Sequence, residues 1–525
     1  MLLSSASAMA AKVIKERVIF IPHDNRPISD DQTADTLRQL GWEIIVPPDE
    51  YLGGRDYNGN PERLWEWLEE NSNKANAAVI SSDSMLYGSL VGSRKHNYDD
   101  NEILNRVNKF AEFKVKHPYL SMYVFGSIMR TPRSGENSGG QEPSYYASYG
   151  SDIFRYTALT DKSETEGLNR REQKEYVFLD RLIPKAAMAD WLSRRNKNIK
   201  ASRALIGLAR QNTIDYLVLG RDDNAPYSQT HMESRKLSEC GADLGDTRFQ
   251  TMAGIDEFAI LLLTRAVNKI TNTVPFVYAR YNWGRGPDTI PAYSDEKISV
   301  SIRDHVVAAG GIMVASPKNA DLVLVVNTNP NGKTFESNDP SNKGKPREGT
   351  AYCADIVSDY VASGYPVGVA DIAYANGSDN ALMEMLKNRG LLFKLRAYSG
   401  WNTPTNSTGF AIGQGMLAAK MTDDARDRLL LMRYLDEWAY QANIRPIMGR
   451  QLGWLRGTGA YSNLDAKRGA VEARTTSLMR RFVDENLPPF AELQNLEVTF
   501  PWNRMFEAKF DLTKHNLLHR AREAK

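Results

Sequence analysis

The sequence predicts an α/β protein: a parallel-sheet N-terminal domain (barrel-like or doubly wound), a second α/β domain and a C-terminal helical layer. Three observations carry this. Short, wholly apolar runs such as Val18-Ile19-Phe20-Ile21 recur along the chain, and apolarity without alternation belongs to strands covered on both faces. Stretches of helical length separate these runs. Polar residues, many of them acidic, follow directly at the ends of the runs.

The elements follow in order. Residues 18–21 form a first strand and 31–40 a helix; 42–46 form a second strand, stopped by Pro47-Pro48. A helix with Pro at its first turn spans 61–70. A third strand covers 77–80, a helix 103–115 and a fourth strand 122–125. Charged helical stretches cover 165–195 and 201–210, before a fifth strand at 216–219. A sixth strand at 249–252 leads into an apolar helix over 257–267. The second unit has strands at 274–279, 312–314, 322–326, 367–370 and 393–397. Within it, residues 327–349, rich in Asn, Pro, Gly and Lys, read as a long exposed loop. From about 423 onward the chain is helical and charged, with a basic, frayed tail. The expected divisions are 17–272, 273–420 and 421–525, with 1–16 as a signal-like segment or tail. No internal repeat is visible.

Composition narrows the function. Lys plus Arg (66) nearly cancels Asp plus Glu (64), leaving a net charge of +2, which gives no reason to expect a nucleic-acid partner. No stretch approaches the ~20 apolar residues of a membrane span. Leu2 to Ala10 resembles the end of a secretory signal peptide, with small residues at A-x-A spacing at Ala6/Ala8 and Ala8/Ala10. A basic start and most of an apolar stretch are missing, so a truncated signal and an exported protein, periplasmic or secreted, are expected. The two cysteines, Cys240 and Cys353, offer neither a disulfide framework nor a metal motif. Walker A, GxGxxG and GxSxG motifs are missing too, and no cofactor is expected.

The positions of the polar residues carry the functional argument. Strand one ends in His23-Asp24-Asn25-Arg26, strand three in Ser82-Asp83-Ser84, strand four runs to Arg130, and strand five ends in Asp222-Asp223-Asn224. The next helix opens with Asp256-Glu257; in the second unit, strands end at Asp371, with Asn376 just beyond, and at Trp401-Asn402. In a parallel sheet all these ends share one rim, where ligand sites gather. A single Asp at such a turn reads equally well as a helix cap. Seven polar turns together point to a site. Crowded carboxylates without a nucleophile motif fit general acid/base hydrolysis, as in glycoside cleavage. Asp222 and Asp223 would point to opposite sides if still extended. Tyr145, Tyr146, Tyr149 and Trp401 are possible sugar platforms or packing residues. His23, Asp24, Asp222, Asp223 and His231 form a weaker metal-ligand set, without HExxH spacing.

These segments resemble a bacterial family, domain-of-unknown-function family 4127, from about residue 17 to 443. The likeness rests on Ile21-Pro22-His23-Asp24-Asn25-Arg26-Pro27, on Ser82 to Gly88 with Ser93-Arg94, and on Asp222-Asp223-Asn224. It continues through Asp256-Glu257, Asp371 to Asn376-Gly377, and Ala397 to Thr403 with Asn406. His23 stands where the family pattern has an apolar residue and Asn25 where it has an acidic one, which weakens both as ligand or acid. The resemblance implies shared chemistry at these positions without naming it.

The resulting expectation is an exported hydrolase acting on a small-molecule or oligosaccharide substrate, a glycosidase. Asp222 or Asp223 would work with Asp256 or Glu257 as the acid/base pair. Arg26, Arg130 and Asn224 would orient hydroxyls or a carboxylate, Trp401 would stack on a ring, and Asp83 would hold a further hydroxyl. Asp24, Asp371, Asn376 and Asn402 complete the expected substrate-binding set. The rival readings are an exported solute-binding protein that clamps its ligand between two units, and a metal-dependent hydrolase.

Overall fold

Apolar runs without alternation leave no face for water, and the strands they form are buried on both sides. The computed structural model describes residues 16–73, 75–133, 135, 140–452, 463–488, 490, 493 and 495–512. The signal-like residues 2–10 and the basic tail beyond 512 lie outside them.

Six strands, β1 (Arg17–Ile21), β2 (Glu43–Ile45), β3 (Ala77–Ser81), β4 (Ser121–Ile128), β5 (Tyr216–Arg221) and β6 (Phe249–Ala253), form one parallel sheet. Their order is β2-β1-β3-β4-β5-β6. The sheet is open, with helices on both faces, so it is doubly wound rather than a barrel. A second parallel sheet joins β7 (Phe276–Tyr281), β8 (Ile312–Met313), β9 (Leu322–Asn327), β11 (Val367–Asp371) and β13 (Ala397–Ser399). Its order is β13-β11-β9-β7-β8. Two short pairs complete the strands: parallel β10 (Phe335–Glu336) with β12 (Tyr374–Ala375), and antiparallel β14 (Glu497–Thr499) with β15 (Lys509–Asp511). Counted within its own unit, each sheet places its second strand beside its first, then continues third, fourth, fifth. The winding recurs although no sequence repeat betrays it. In both sheets the direction of winding reverses between the first and third strands, where such folds open a crevice.

One core joins the two sheets. Val18, Phe20, Val79 and Val218 of the first sheet and Val277, Leu324 and Val326 of the second belong to the same buried cluster. Between them lie the helices Phe258–Ile270 and Pro404–Ala418, through Leu261, Leu262, Ala411 and Met416. These helices approach closely because the second carries glycines at the contact: a Cβ on Gly409 would lie 2.3 Å from Glu257 Cγ, and one on Gly413 2.8 Å from Ile260 Cγ1. The outer face of the first sheet is covered by Pro61–Ser72, Asp100–Lys116 and Lys185–Arg210. The outer face of the second is covered by Glu348–Ala362 and by the C-terminal region, whose Leu430, Trp438, Met479 and Phe500 join that sheet's core.

Three local expectations change. The stretch 165–195 is divided among the helices Tyr146–Thr165, Arg170–Leu182 and Lys185–Arg210. Gly167, at φ +83°, and Pro184 mark the breaks. Residues 392–394 form a 3₁₀ turn, and β13 begins only at Ala397. The 327–349 loop is not simply exposed: Ser337 and Asn342 are buried, and the Asn342 amide donates to the carbonyls of Ser337 (2.8 Å) and Ser378 (3.0 Å). Side-chain amides satisfy backbone groups there, so polar composition does not require water.

Candidate functional site

The C-terminal ends of both sheets open on one cleft of about 310 Å³. At its floor, Arg26 grips Asp24 through Nε (3.0 and 2.9 Å to the two carboxylate oxygens) and reaches Asp256 Oδ1 through Nη2 at 2.5 Å. Asp256 Oδ2 accepts from Asn402 (2.8 Å) and Asn406 (3.3 Å) of the second unit. This buried carboxylate therefore ties the two units together with both oxygens in use. Burial alone would raise its pKa, but Arg26 and His23, whose Nε2 lies 3.1 Å from Oδ1, together hold it well below the ordinary carboxylate range. Burial also opposes the charge on Asp24, and Arg26 with His23 again prevails, lowering its pKa.

The side wall comes from the exit of β5. The strand ends at Arg221, whose guanidinium pairs with Asp295 (3.0 Å) and Glu296 across the unit boundary. Asp223 then takes φ +40°, and this left-handed turn brings both Asp222 and Asp223 onto the cleft. An extended chain would have separated them, as the sequence led us to expect. Asp222 meets Arg94 at 2.6 Å and Asp223 meets Arg130 at 2.7 Å. Arg130 is also held by Glu142 at 2.6 Å, and Arg94 by Gln141 at 2.9 Å. Burial and the neighbouring Asp222 push the Asp223 pKa up to about 6, against the pull of Arg130 and Arg94. Its side chain remains 29% exposed, open to a ligand.

The opposite rim is built from irregular backbone. Of the eight non-glycine residues with positive φ among those described, four line this cleft: Asp223, Tyr293, Asn376 and Asn402. Such conformations cost about 1–3 kcal/mol each and persist where the surroundings impose them, commonly at ligand sites. The Asn224 backbone N–H donates to Tyr293 O (3.1 Å), and Asn376 N–H to Asn402 O (2.7 Å). Asn224 Nδ2 and Asn376 Oδ1 are buried without a hydrogen-bond partner while their residues face the cleft. The C-terminal segment closes the site with Trp502, Arg504 and Phe506. The Arg26 guanidinium lies 5.4 Å from the Trp502 ring, and Trp502 Nε1 donates to Asn25 (2.8 Å).

Of the residues expected from sequence, the structure therefore brings Asp24, Arg26, Arg130, Asp222, Asp223, Asn224, Asp256, Asn376 and Asn402 to one cleft. Four lie elsewhere. Glu257 is fully buried beside His305 Nε2 (3.1 Å), and its Oε2 accepts the Ile255 N–H. Asp83 sits beneath the site and accepts from Ser127 N–H at 2.9 Å; burial pushes its pKa up to about 7. Asp371 closes the second sheet, accepting from Tyr398 (2.8 Å) and Asn327 (2.9 Å). Trp401, 2% exposed, packs with Ile28, Ile260 and Phe410. Tyr145, Tyr146 and Tyr149 pack around Trp191. The histidines of the metal set are engaged apart, His23 with Arg26 (2.8 Å) and His231 with Asp161 (2.6 Å). Among the described residues, no group of three His, Cys, Asp or Glu is placed to hold a metal ion.

Sequence reasoning passed over Arg94 as a site residue, together with Glu142, Tyr293, Trp502, Arg504 and Phe506. The last three lie in a run of turns over 501–507, where Asn503 takes φ +53°, and Tyr293 and Glu142 stand in loops, so neither strand nor helix periodicity marked any of them.

No curated protein matches the chain. A family model does match it, over residues 18–511, nearly the whole length. The chain belongs to the family described as protein of unknown function (DUF4127).

Proposed function

We propose that this cleft is the active site of a hydrolase that cleaves a glycosidic bond, with Asp223 as general acid and Asp222 as its carboxylate partner. The observation that carries the reading is the pair itself. Two consecutive carboxylates face one cleft in different surroundings, Asp222 against Arg94 at 2.6 Å and Asp223 kept protonatable to about pH 6. Separated protonation of neighbouring acids is how one site supplies both an acid and a base. Asp223 protonates the leaving oxygen as the bond from the anomeric carbon breaks, Asp222 faces the positive charge that develops on the sugar ring, and water then adds to that carbon and returns its proton to Asp223. Asp256 and Asp24 hold Arg26 in place. Arg26, Asn224, Asn376 and Asn402 present donors and acceptors to hydroxyls, and Trp502 offers an apolar face.

A solute-binding protein is the second reading, favoured by two like-wound sheets sharing one cleft. The continuous core through Leu261, Leu262, Ala411 and Met416 weighs against it, because a clamp needs lobes that swing apart. Export belongs to the proposal as well, resting on the small-residue segment alone.

A thermal-shift screen against neutral sugars, uronic acids and amino acids, followed by mass spectrometry of each hit, tests the reading. Cleavage of a stabilising glycoside, lost in Asp223→Asn, supports it. A ligand that stabilises and is recovered intact from every hit moves the assignment to a binding protein.

A further inference from the structure

The second sheet has its own crevice, and nothing in the cleft chemistry uses it. Its winding reverses between β7 and β9, as the first sheet's does between β1 and β3. The chain leaves β7 through Asn282-Trp283 and β9 through Thr328-Asn329, and between these turns and the first turn of the helix Glu348–Ala362 lies a separate cavity of about 350 Å³. The wall is fixed. Asn282 Nδ2 donates to Asn327 Oδ1 (3.2 Å), Thr328 O (3.0 Å) and Gly349 O (3.0 Å). Gly349 admits no side chain, since a Cβ would stand 2.9 Å from the Pro330 ring.

Three features aim at a ligand. The 15-residue helix begins at the cavity, and its N-cap residue, Arg347, gives no side-chain hydrogen bond to the free N–H groups of the first turn, which carry the positive end of the helix dipole. Thr328 is 1% exposed and lines the cavity, yet its hydroxyl has no hydrogen-bond partner. Arg347 spends Nη2 on Asp379 (2.5 Å) and keeps Nη1 buried and unpartnered. A buried hydroxyl and a buried guanidinium nitrogen left unpaired are costly unless something binds them. Trp283, 42% exposed, stands at the mouth.

We propose that this crevice is a second ligand site, one that takes a phosphate-sized oxyanion on the Thr328 hydroxyl, Arg347 Nη1 and the first-turn N–H groups. It is independent of the hydrolase reading, since it shares no lining residue with the first cleft.

The test is calorimetric titration of the full chain with inorganic phosphate, with sodium chloride at matched ionic strength as control. Thr328→Val is the deciding variant, because the hydroxyl makes no bond in the fold and its isosteric loss leaves packing intact. Arg347→Lys is the second, keeping a charge for Asp379 while removing the fork. We expect saturable binding by the native chain, weakened about ten-fold by Thr328→Val, the worth of one hydrogen bond to a charged group, and weakened by Arg347→Lys as well. Absence of phosphate binding, or equal affinity in the native chain and Thr328→Val, overturns the proposal. The second outcome would place any bound anion elsewhere, the arginine-rich cleft included.

Discussion

Replacing Asp222 by Asn keeps the shape at the end of β5 and an acceptor oxygen facing Arg94, and removes one negative charge beside Asp223. Asp223 stands near 6 because of burial first and the Asp222 charge second, opposed by Arg130 and Arg94. At an effective dielectric of ~20 two unit charges about 4 Å apart repel by about 4 kcal/mol, or about 3 pKa units, an upper bound for this pair. Solvent reaches 29% of the Asp223 side chain and screens part of this, so a fall of about one unit is expected. Carbon-13 NMR titration of labelled aspartate measures it, with the Asp223 resonance assigned by its loss in Asp223→Asn. The sign carries over to turnover. A general acid works only while protonated, so activity of the native chain declines as pH rises through the Asp223 pKa; Asp222→Asn, which lacks the carboxylate partner, should lose turnover and is read by the titration alone. An Asp223 midpoint that stays near 6 or rises in Asp222→Asn would refute the coupling on which the acid assignment rests.

Two further predictions follow from the placement of residues that sequence alone had grouped together. Asp256→Asn removes the charge that holds Arg26 and meets the amides of Asn402 and Asn406 with another amide; as the breaking of a buried pair it should cost roughly 3–5 kcal/mol in urea unfolding, and a variant within about 1 kcal/mol of the native chain contradicts its role as a tie between the units. Trp502→Ala and Trp401→Ala, at 4% and 2% exposure, should each lose roughly 3–5 kcal/mol of stability as truncations of buried rings. Only Trp502→Ala, which opens the wall of the cleft, should weaken binding of a stabilising sugar at a temperature where both variants are folded; equal effects of the two on ligand affinity would mean that the aromatic wall is wrongly drawn.

The strands were legible because their burial is written in composition: runs such as Leu322 to Val326 have no polar face to offer water. The rim was legible because parallel strands share a direction, so Asp24, Asp222 and Asp256 had to emerge on one side. What the sequence concealed was orientation within each turn. Glu257 follows Asp256 by one residue, yet it faces the Pro404–Ala418 helix at Gly409 while Asp256 faces the cleft. Asp222 and Asp223 both face the cleft only because φ at Asp223 is +40°, a conformation that side-chain chemistry permits in Asp but does not announce. Trp401 looked like a platform because it follows a strand end, and its neighbours Ile28, Ile260 and Phe410 bury it. Docking supplied the rest. Trp502 and Arg504 come some 480 residues after Asp24, and only the packing of the C-terminal region against the second sheet brings them to Arg26.

The most direct test of the central claim is a crystal structure of Asp223→Asn in complex with a sugar that stabilises the native chain. The account predicts the ligand in the cleft between Asp222, Asn402 and Trp502, with a glycosidic oxygen within hydrogen-bond reach of residue 223. A sugar bound outside this cleft, or bound there with no glycosidic oxygen near residue 223, would contradict it.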